Sequence, residues 1–116
     1  MSYAVFRGKR KLCLAEMVAG IGAKTGLMFR RKLKRGEGLI LKIPNCRVSI
    51  HTMFVFFPID LFFLDARGKV VEVAKLAPWR IYLPKKKAAH LLEANAGELS
   101  VKVGDRLSFR KSGIRN

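Results

Sequence analysis

The sequence predicts a mainly β (α+β) fold, a single compact domain built as a small curled sheet or partly closed barrel with one or two short helices. Three observations predict it. Short runs of β-branched and aromatic residues recur at close spacing, glycine and proline punctuate them, and few stretches have helical composition. A chain of 116 residues, 50% hydrophobic, is the right size for one core and rich enough in apolar residues to build it. The reading divides the chain into a basic N-terminal segment at 1–11, one β-rich domain at 12–109 and a basic tail at 110–116.

Along the chain, residues 12–19 are mostly apolar and read as a strand, although their Leu, Ala, Glu and Met would equally suit a short helix. Gly20, Gly22 and Gly26 follow as a loop. Residues 27–33 then combine helix formers with the cations between Arg30 and Arg35, which fits one or two basic helical turns. After Gly36 and Gly38, residues 39–43 form a strand closed by Pro44 and Asn45. Residues 48–57 are rich in β-branched and aromatic side chains and predict another strand, ended by Pro58, which has no backbone donor. Residues 60–64, the turn Asp65-Ala66-Arg67-Gly68, and residues 69–73 carry a hairpin signature, with Asp at the first turn position and Gly where φ becomes positive. Pro78 and Pro84 bracket a short extended piece. Residues 88–94 are open between strand and helix, and Gly104-Asp105 makes a turn or bulge inside residues 101–109.

Charge is the compositional outlier. The chain carries 24 Lys and Arg against 8 Asp and Glu, a net charge of +16. A folded monomer of this mass exposes roughly 6,400 Å², so about one net positive charge falls on each 400 Å². Such a surface favours anionic partners, and it says nothing about reaction chemistry. The cations gather in four clusters: Arg7, Lys9, Arg10 and Lys11; Arg31, Lys32, Lys34 and Arg35 beside Arg30; Lys85, Lys86 and Lys87; and Arg110 and Lys111 running on to Arg115. With almost no acids interleaved, these clusters repel one another unless screened or bound, and phosphate backbones reward that arrangement through counterion release. Phe6, Tyr3 and Tyr82 stand near them as stacking candidates.

Other classes find little support. Cys13 and Cys46 are too few for a disulfide framework and lack the paired spacing of a zinc site, so reduced thiols, no metal and no cofactor are expected. Gly20-Ile21-Gly22 lacks the third glycine of a dinucleotide loop, and no nucleophile elbow or phosphate loop is present. The reading therefore leans away from an enzyme. The most apolar window, residues 53–64, is shorter than the ~20 residues of a spanning helix and contains Pro58 and Asp60. A soluble cytoplasmic monomer is expected.

Several pieces in order resemble a known family: Gly26-Leu27-Met28-Phe29-Arg30, Ile50-His51-Thr52-Met53, Phe57-Pro58-Ile59-Asp60 with Phe63-Leu64-Asp65 and Gly68, Pro78-Trp79-Arg80, Ala96-Gly97, and Val103-Gly104-Asp105-Arg106-Leu107. Together they resemble the domain of unknown function 192 family over about residues 12–109. The resemblance implies a compact β-dominated domain from a group widespread in archaea and bacteria, and it implies no established activity. Where many relatives carry a Met-Arg pair before the Phe-Pro-Ile-Asp motif, this chain has Val55-Phe56, and the stretch before Ala-Gly reads Glu93-Ala94-Asn95.

Two function classes follow. The first is a non-enzymatic module that binds nucleic acid or another polyanion through its clusters. The alternative is a pocket for a small molecule or protein partner built from His51, Asp60, Trp79, Arg80 and Arg30. Asp60 has two readings: a carboxylate converging with His51 and Arg80 on a ligand, or an acceptor of backbone N–H groups at the bend after Pro58. Trp79-Arg80 is either a stacking platform for a base or sugar ring or a plug at one end of the barrel.

Overall fold

The computed structural model describes residues 2–18, 33–53 and 55–111. Nine strands run through them: β1 (Ser2–Arg7), β2 (Arg10–Val18), β3 (Glu37–Cys46), β4 (Ile50–His51), β5 (Ile59–Leu64), β6 (Val70–Leu76), β7 (Ile81–Tyr82), β8 (Ala88–Asn95) and β9 (Ser108–Lys111). There is no helix among the described residues. Residues 27–32, where most of the basic helical turn was expected, lie outside them. Seven strands form one sheet in the order β6-β5-β8-β3-β2-β1-β9, and β4 pairs with β7 apart from it. Within the large sheet only β2 and β3 run parallel, Leu14 facing Glu37 and Val18 facing Leu41.

Of the two expected forms, a curled sheet or a partly closed barrel, the curled sheet is the one found. The sheet curls but stays open, because its edge strands share no ladder. What holds the curl is a short splice between the start of β6 and the segment before β9. Val70 N–H donates to Asp105 O at 2.8 Å, Gly104 N–H to Val70 O at 2.9 Å and Leu107 N–H to Gly68 O at 2.8 Å. The result is still one compact domain, with a radius of gyration of 13.0 Å.

β5 explains where the core sits. All six of its residues are buried. Ile59, Leu61 and Phe63 face one apolar cluster with Leu39, Leu41, Ile50, Val55, Phe57 and Leu91. Phe62 and Leu64 face a second with Val5, Cys13, Ile40, Leu92 and Val101. Burial of each such Leu, Ile or Phe supplies about 1.5–3 kcal/mol, so the central strands anchor both layers. The expected hairpin is present: β5 pairs with β6, and Asp65 Oδ1 accepts the Arg67 and Lys69 N–H groups, each at 2.9 Å. The bond from Lys69 has the larger effect, and with the bond from Arg67 it holds the Asp65 carboxyl below its usual range.

Two other expectations change. Residues 88–94 resolve to strand, because β8 is paired on both sides, by β3 and β5, and buried on both faces. The strand expected over residues 48–57 shrinks to Ile50–His51, since the next residue, Thr52, gives its backbone to a neighbouring loop rather than to a ladder. The chain ends also take part in the sheet: Ser2–Arg7 is a paired strand within the segment 1–11, and Arg110 and Lys111 complete β9.

Candidate polyanion-binding face

Several of the acidic residues are engaged by backbone N–H groups of the fold. Glu37 Oε1 accepts the Lys34 N–H at 2.9 Å, Asp60 Oδ2 the Gly97 N–H at 2.9 Å, and Glu98 Oε1 the Gly36 N–H at 3.1 Å. Glu72 is buried too. It accepts the Lys85 and Lys86 N–H groups, each at 2.9 Å, and the hydroxyl of Tyr82. That hydroxyl bond, with burial and the Glu72 charge, pushes the Tyr82 phenol up to about 12. Asp105 accepts the Lys102 N–H at 3.1 Å and pairs with Arg7 at 3.0 Å, and these bonds lower its carboxyl. The Arg7–Asp105 contact is the ion pair formed among the described residues. Carboxylates therefore cap turns, and most cations keep their charge toward solvent.

Strand order then gathers the cations. β1 lies between β2 and β9, so the clusters at the two ends of the chain become neighbours. Across these three strands stand Arg7, Arg10, Lys11, Arg110 and Lys111, with Lys9 in the β1–β2 turn and Glu16 as the single acid. Lys9, Arg10, Lys11, Arg110 and Lys111 are exposed. Phe6 faces Lys11 on one side and Ser108 on the other, and its ring carries the Arg110 guanidinium 4.5 Å above the centroid. A third cluster adjoins this region: Arg35 lines a cleft of about 380 Å³ with Leu12, Gly36, Gly97, Glu98 and Leu99, so it opens beside the start of β2. Lys34 is exposed next to it. Lys85, Lys86 and Lys87 are exposed at the other end, because they precede Ala88, which faces Cys46 at the far end of β3. Arg30, Arg31 and Lys32 lie outside the described residues.

A second feature forms where β4 and β7 pair. Thr52, 0% exposed, donates its hydroxyl to Ala77 O at 2.7 Å and accepts the Arg80 N–H at 2.8 Å. Its backbone N–H donates to Arg80 O at 2.7 Å and its carbonyl accepts the Trp79 N–H at 2.8 Å. So clamped, Trp79 holds φ at +61°, a left-handed conformation that costs a bulky residue about 1–3 kcal/mol. Trp79 is not the plug of a barrel end. It is 44% exposed and meets Phe56, 63% exposed, edge to face at 6.1 Å. His51 and Arg80 are exposed beside it, with His51 Nδ1 accepting the Met53 N–H at 3.3 Å.

Three of the expected pocket residues, His51, Trp79 and Arg80, thus meet at this corner, and Asp60 does not join them. Its side chain alternates with Phe62 and Leu64 and lies on the face of the second cluster, whereas Ile50, Val55 and Phe57 around the corner belong to the first. There it accepts the Gly97 N–H, from the turn after β8 rather than from the bend after Pro58. Sequence reasoning missed Thr52 and Phe56. Thr52 had a signal, its place in the Ile50-His51-Thr52-Met53 motif. Among the described residues no group of three or more His, Cys, Asp or Glu stands together as a metal site would require, and no helix is long and apolar enough to cross a membrane.

The model of the DUF192 family, described as "Uncharacterized ACR", matches residues 17–109. The chain belongs to the DUF192 family. Its relatives include a UPF0127 protein of Pyrococcus furiosus, 39% identical over 92 residues that cover 74% of this chain and 77% of that one. A UPF0127 protein of Pyrococcus abyssi is 39% identical over 90 residues, 72% of this chain and 74% of its own. Among solved structures, a Sinorhizobium meliloti protein provisionally labelled a transcription regulator superposes with a TM-score of 0.84 at 24% identity, covering 94% of each chain. A Novosphingobium aromaticivorans protein of unknown function gives 0.78 at 22% identity, over 92% of this chain and 83% of its own. Both share the DUF192 fold, and the likeness at this identity speaks to fold alone.

Proposed function

We propose that this DUF192 chain is a non-enzymatic cytoplasmic module that binds nucleic acid, as a monomer, through the face built by β1, β2 and β9, with little sequence specificity. The observation that carries the reading is the division of labour between charges: carboxylates accept backbone N–H groups, while Lys9, Arg10, Lys11, Arg110 and Lys111 stand exposed on neighbouring strands and their connecting turn. Cations placed so can neutralise consecutive phosphates and release their counterions, and the Phe6 ring under Arg110 adds an apolar surface within that face. The label carried by the Sinorhizobium meliloti neighbour is in keeping with this reading.

Fluorescence anisotropy with a labelled oligonucleotide tests it. A variant with Lys9, Arg10, Lys11, Arg110 and Lys111 each changed to Gln is expected to bind roughly a hundredfold more weakly at low salt. The Lys85→Gln, Lys86→Gln, Lys87→Gln variant is expected to lose less. Equal affinity of the five-site variant and the unaltered chain would overturn the proposal.

A further inference from the structure

The cleft beside the start of β2 holds two opposite charges that do not neutralise each other. Arg35 and Glu98 both line it, yet they form no ion pair, and Arg35 has no carboxylate partner among the described residues. Glu98 is fixed from two sides. Its Oε1 accepts the Gly36 N–H at 3.1 Å, and its Oε2 accepts the Nδ2 of the buried Asn95 at 3.2 Å. Each of those oxygens keeps a lone pair for a further donor. Glu37, two residues beyond Arg35, takes the Lys34 N–H instead.

The walls of the cleft suit a flat ring. Leu12 and Leu99 are half-buried and supply apolar surface, while Gly36 and Gly97, at φ +82° and +83°, leave open space where a side chain would begin. The volume of about 380 Å³ lies within the range of small-ligand sites and has room for a purine.

Charge decides which ring. A ligand that bridges the two residues must offer acceptors to Arg35 and donors to Glu98 from one rigid body. Guanine does both: O6 and N7 accept from a guanidinium, while N1–H and the N2 amino group donate to a carboxylate. No other base sets two adjacent acceptors beside two adjacent donor groups. Those donors lie on the Watson–Crick edge, which is free only when the base is unpaired. The cleft is also within reach of the basic face, because Leu12 follows Lys11 on β2. The buried Cys13 thiol senses both: burial first, then the Glu98 charge, push it up to about 11, against the opposing pull of Lys11.

We infer that the cleft takes one unpaired guanine of a strand whose phosphates lie on the β1–β2–β9 face, with Arg35 donating to O6 and N7 and Glu98 accepting from N1 and N2. This rests on the nucleic-acid reading above and adds one preferred base to a face that meets phosphates alone.

Anisotropy titrations of the full chain use labelled deoxythymidine oligomers of about 12 units whose central base is guanine, hypoxanthine, 7-deazaguanine or thymine. The guanine oligomer is expected to bind roughly tenfold more tightly than the all-thymine one. Hypoxanthine, which lacks the N2 amino group, and 7-deazaguanine, which lacks N7, should each lose most of that advantage. Arg35→Gln and Glu98→Gln are each expected to bring the ratio of guanine to thymine affinity close to one. Guanosine monophosphate, the base without the strand, should compete roughly tenfold more weakly than unlabelled guanine oligomer, and equal competition would overturn a strand as the source of the base. Equal affinity for guanine and thymine oligomers, or a guanine preference that survives both substitutions, would overturn the cleft site while leaving the basic face standing. No binding to any oligomer would overturn both.

Discussion

The guanidinium of Arg110 lies 4.5 Å above the centre of the Phe6 ring, so the last strand of the fold delivers its cation onto the first. The contact exists because Ala4 and Phe6 share the face on which Arg110 and Ser108 sit opposite them. It sets a cation of the C-terminal cluster against the strand that ends in Arg7. An exposed cation over a ring is worth only about 0.5–1 kcal/mol to the fold, and on the function proposed above it holds the charge where a phosphate would meet it.

Arg110→Gln is therefore expected to leave the melting transition almost unchanged, with less than about 1 kcal/mol lost. Its affinity for an oligonucleotide should fall several-fold at low salt, and the salt slope should become shallower by about one. Thermal melts and anisotropy titrations on the same variant separate the two effects.

Thr52→Val keeps the shape of a fully buried side chain and removes its hydroxyl. The Ala77 carbonyl and the Arg80 N–H then lose their partner. Leaving a buried polar group unsatisfied costs about 1–3 kcal/mol, so urea unfolding should show a loss of roughly 2–4 kcal/mol. Trp79 emission should shift to the red as the loop loosens.

Gly68→Ala tests the splice that curls the sheet. Gly68 has φ +86°, and a Cβ there would drive into the carbonyl oxygen of Leu107, a residue already bonded to the Gly68 carbonyl through its own N–H. The expected loss is about 3 kcal/mol or more by urea unfolding. Gly104→Ala, at φ +99° with open space around the added atom, should cost only about 1 kcal/mol, the conformational part alone.

Tyr82 gives the fold an alkaline limit. Its donation to Glu72 raises the folded phenol from 10 to about 12, so the folded chain holds the proton more tightly than the unfolded one. This contribution is complete below pH 10 and is lost as pH climbs through about 12. Melting temperatures taken from pH 8 to 12 should fall more steeply for the unaltered chain than for Tyr82→Phe, which has no phenol to titrate.

Much of the fold was legible because it is written locally. Asp65 and Gly68 announce the β5–β6 hairpin, and Pro58 marks the break before Ile59. The strand character of β8 was not, since a strand buried on both faces loses the alternation that distinguishes it from a helix. Nor could the sequence extend β4 correctly, because Thr52 answers to Ala77 and Arg80 rather than to its own neighbours. The four cation clusters were visible at once, yet their grouping depends on β1 sitting between β2 and β9, a long-range pairing that no local pattern encodes. Asp60 shows the same limit: its Oδ2 accepts the Gly97 N–H, a partner from the turn after β8 that neither of its readings named.

If cations on β1, β2 and β9 act by neutralising phosphates, binding weakens steeply as salt rises. For a single-stranded oligonucleotide the logarithm of the association constant should fall linearly with the logarithm of salt concentration, with a slope of about −3.5 for five neutralised phosphates. The variant carrying Gln at Lys9, Arg10, Lys11, Arg110 and Lys111 should show a much shallower slope. A slope near zero for the unaltered chain, or the same steep slope for both proteins, would contradict the account.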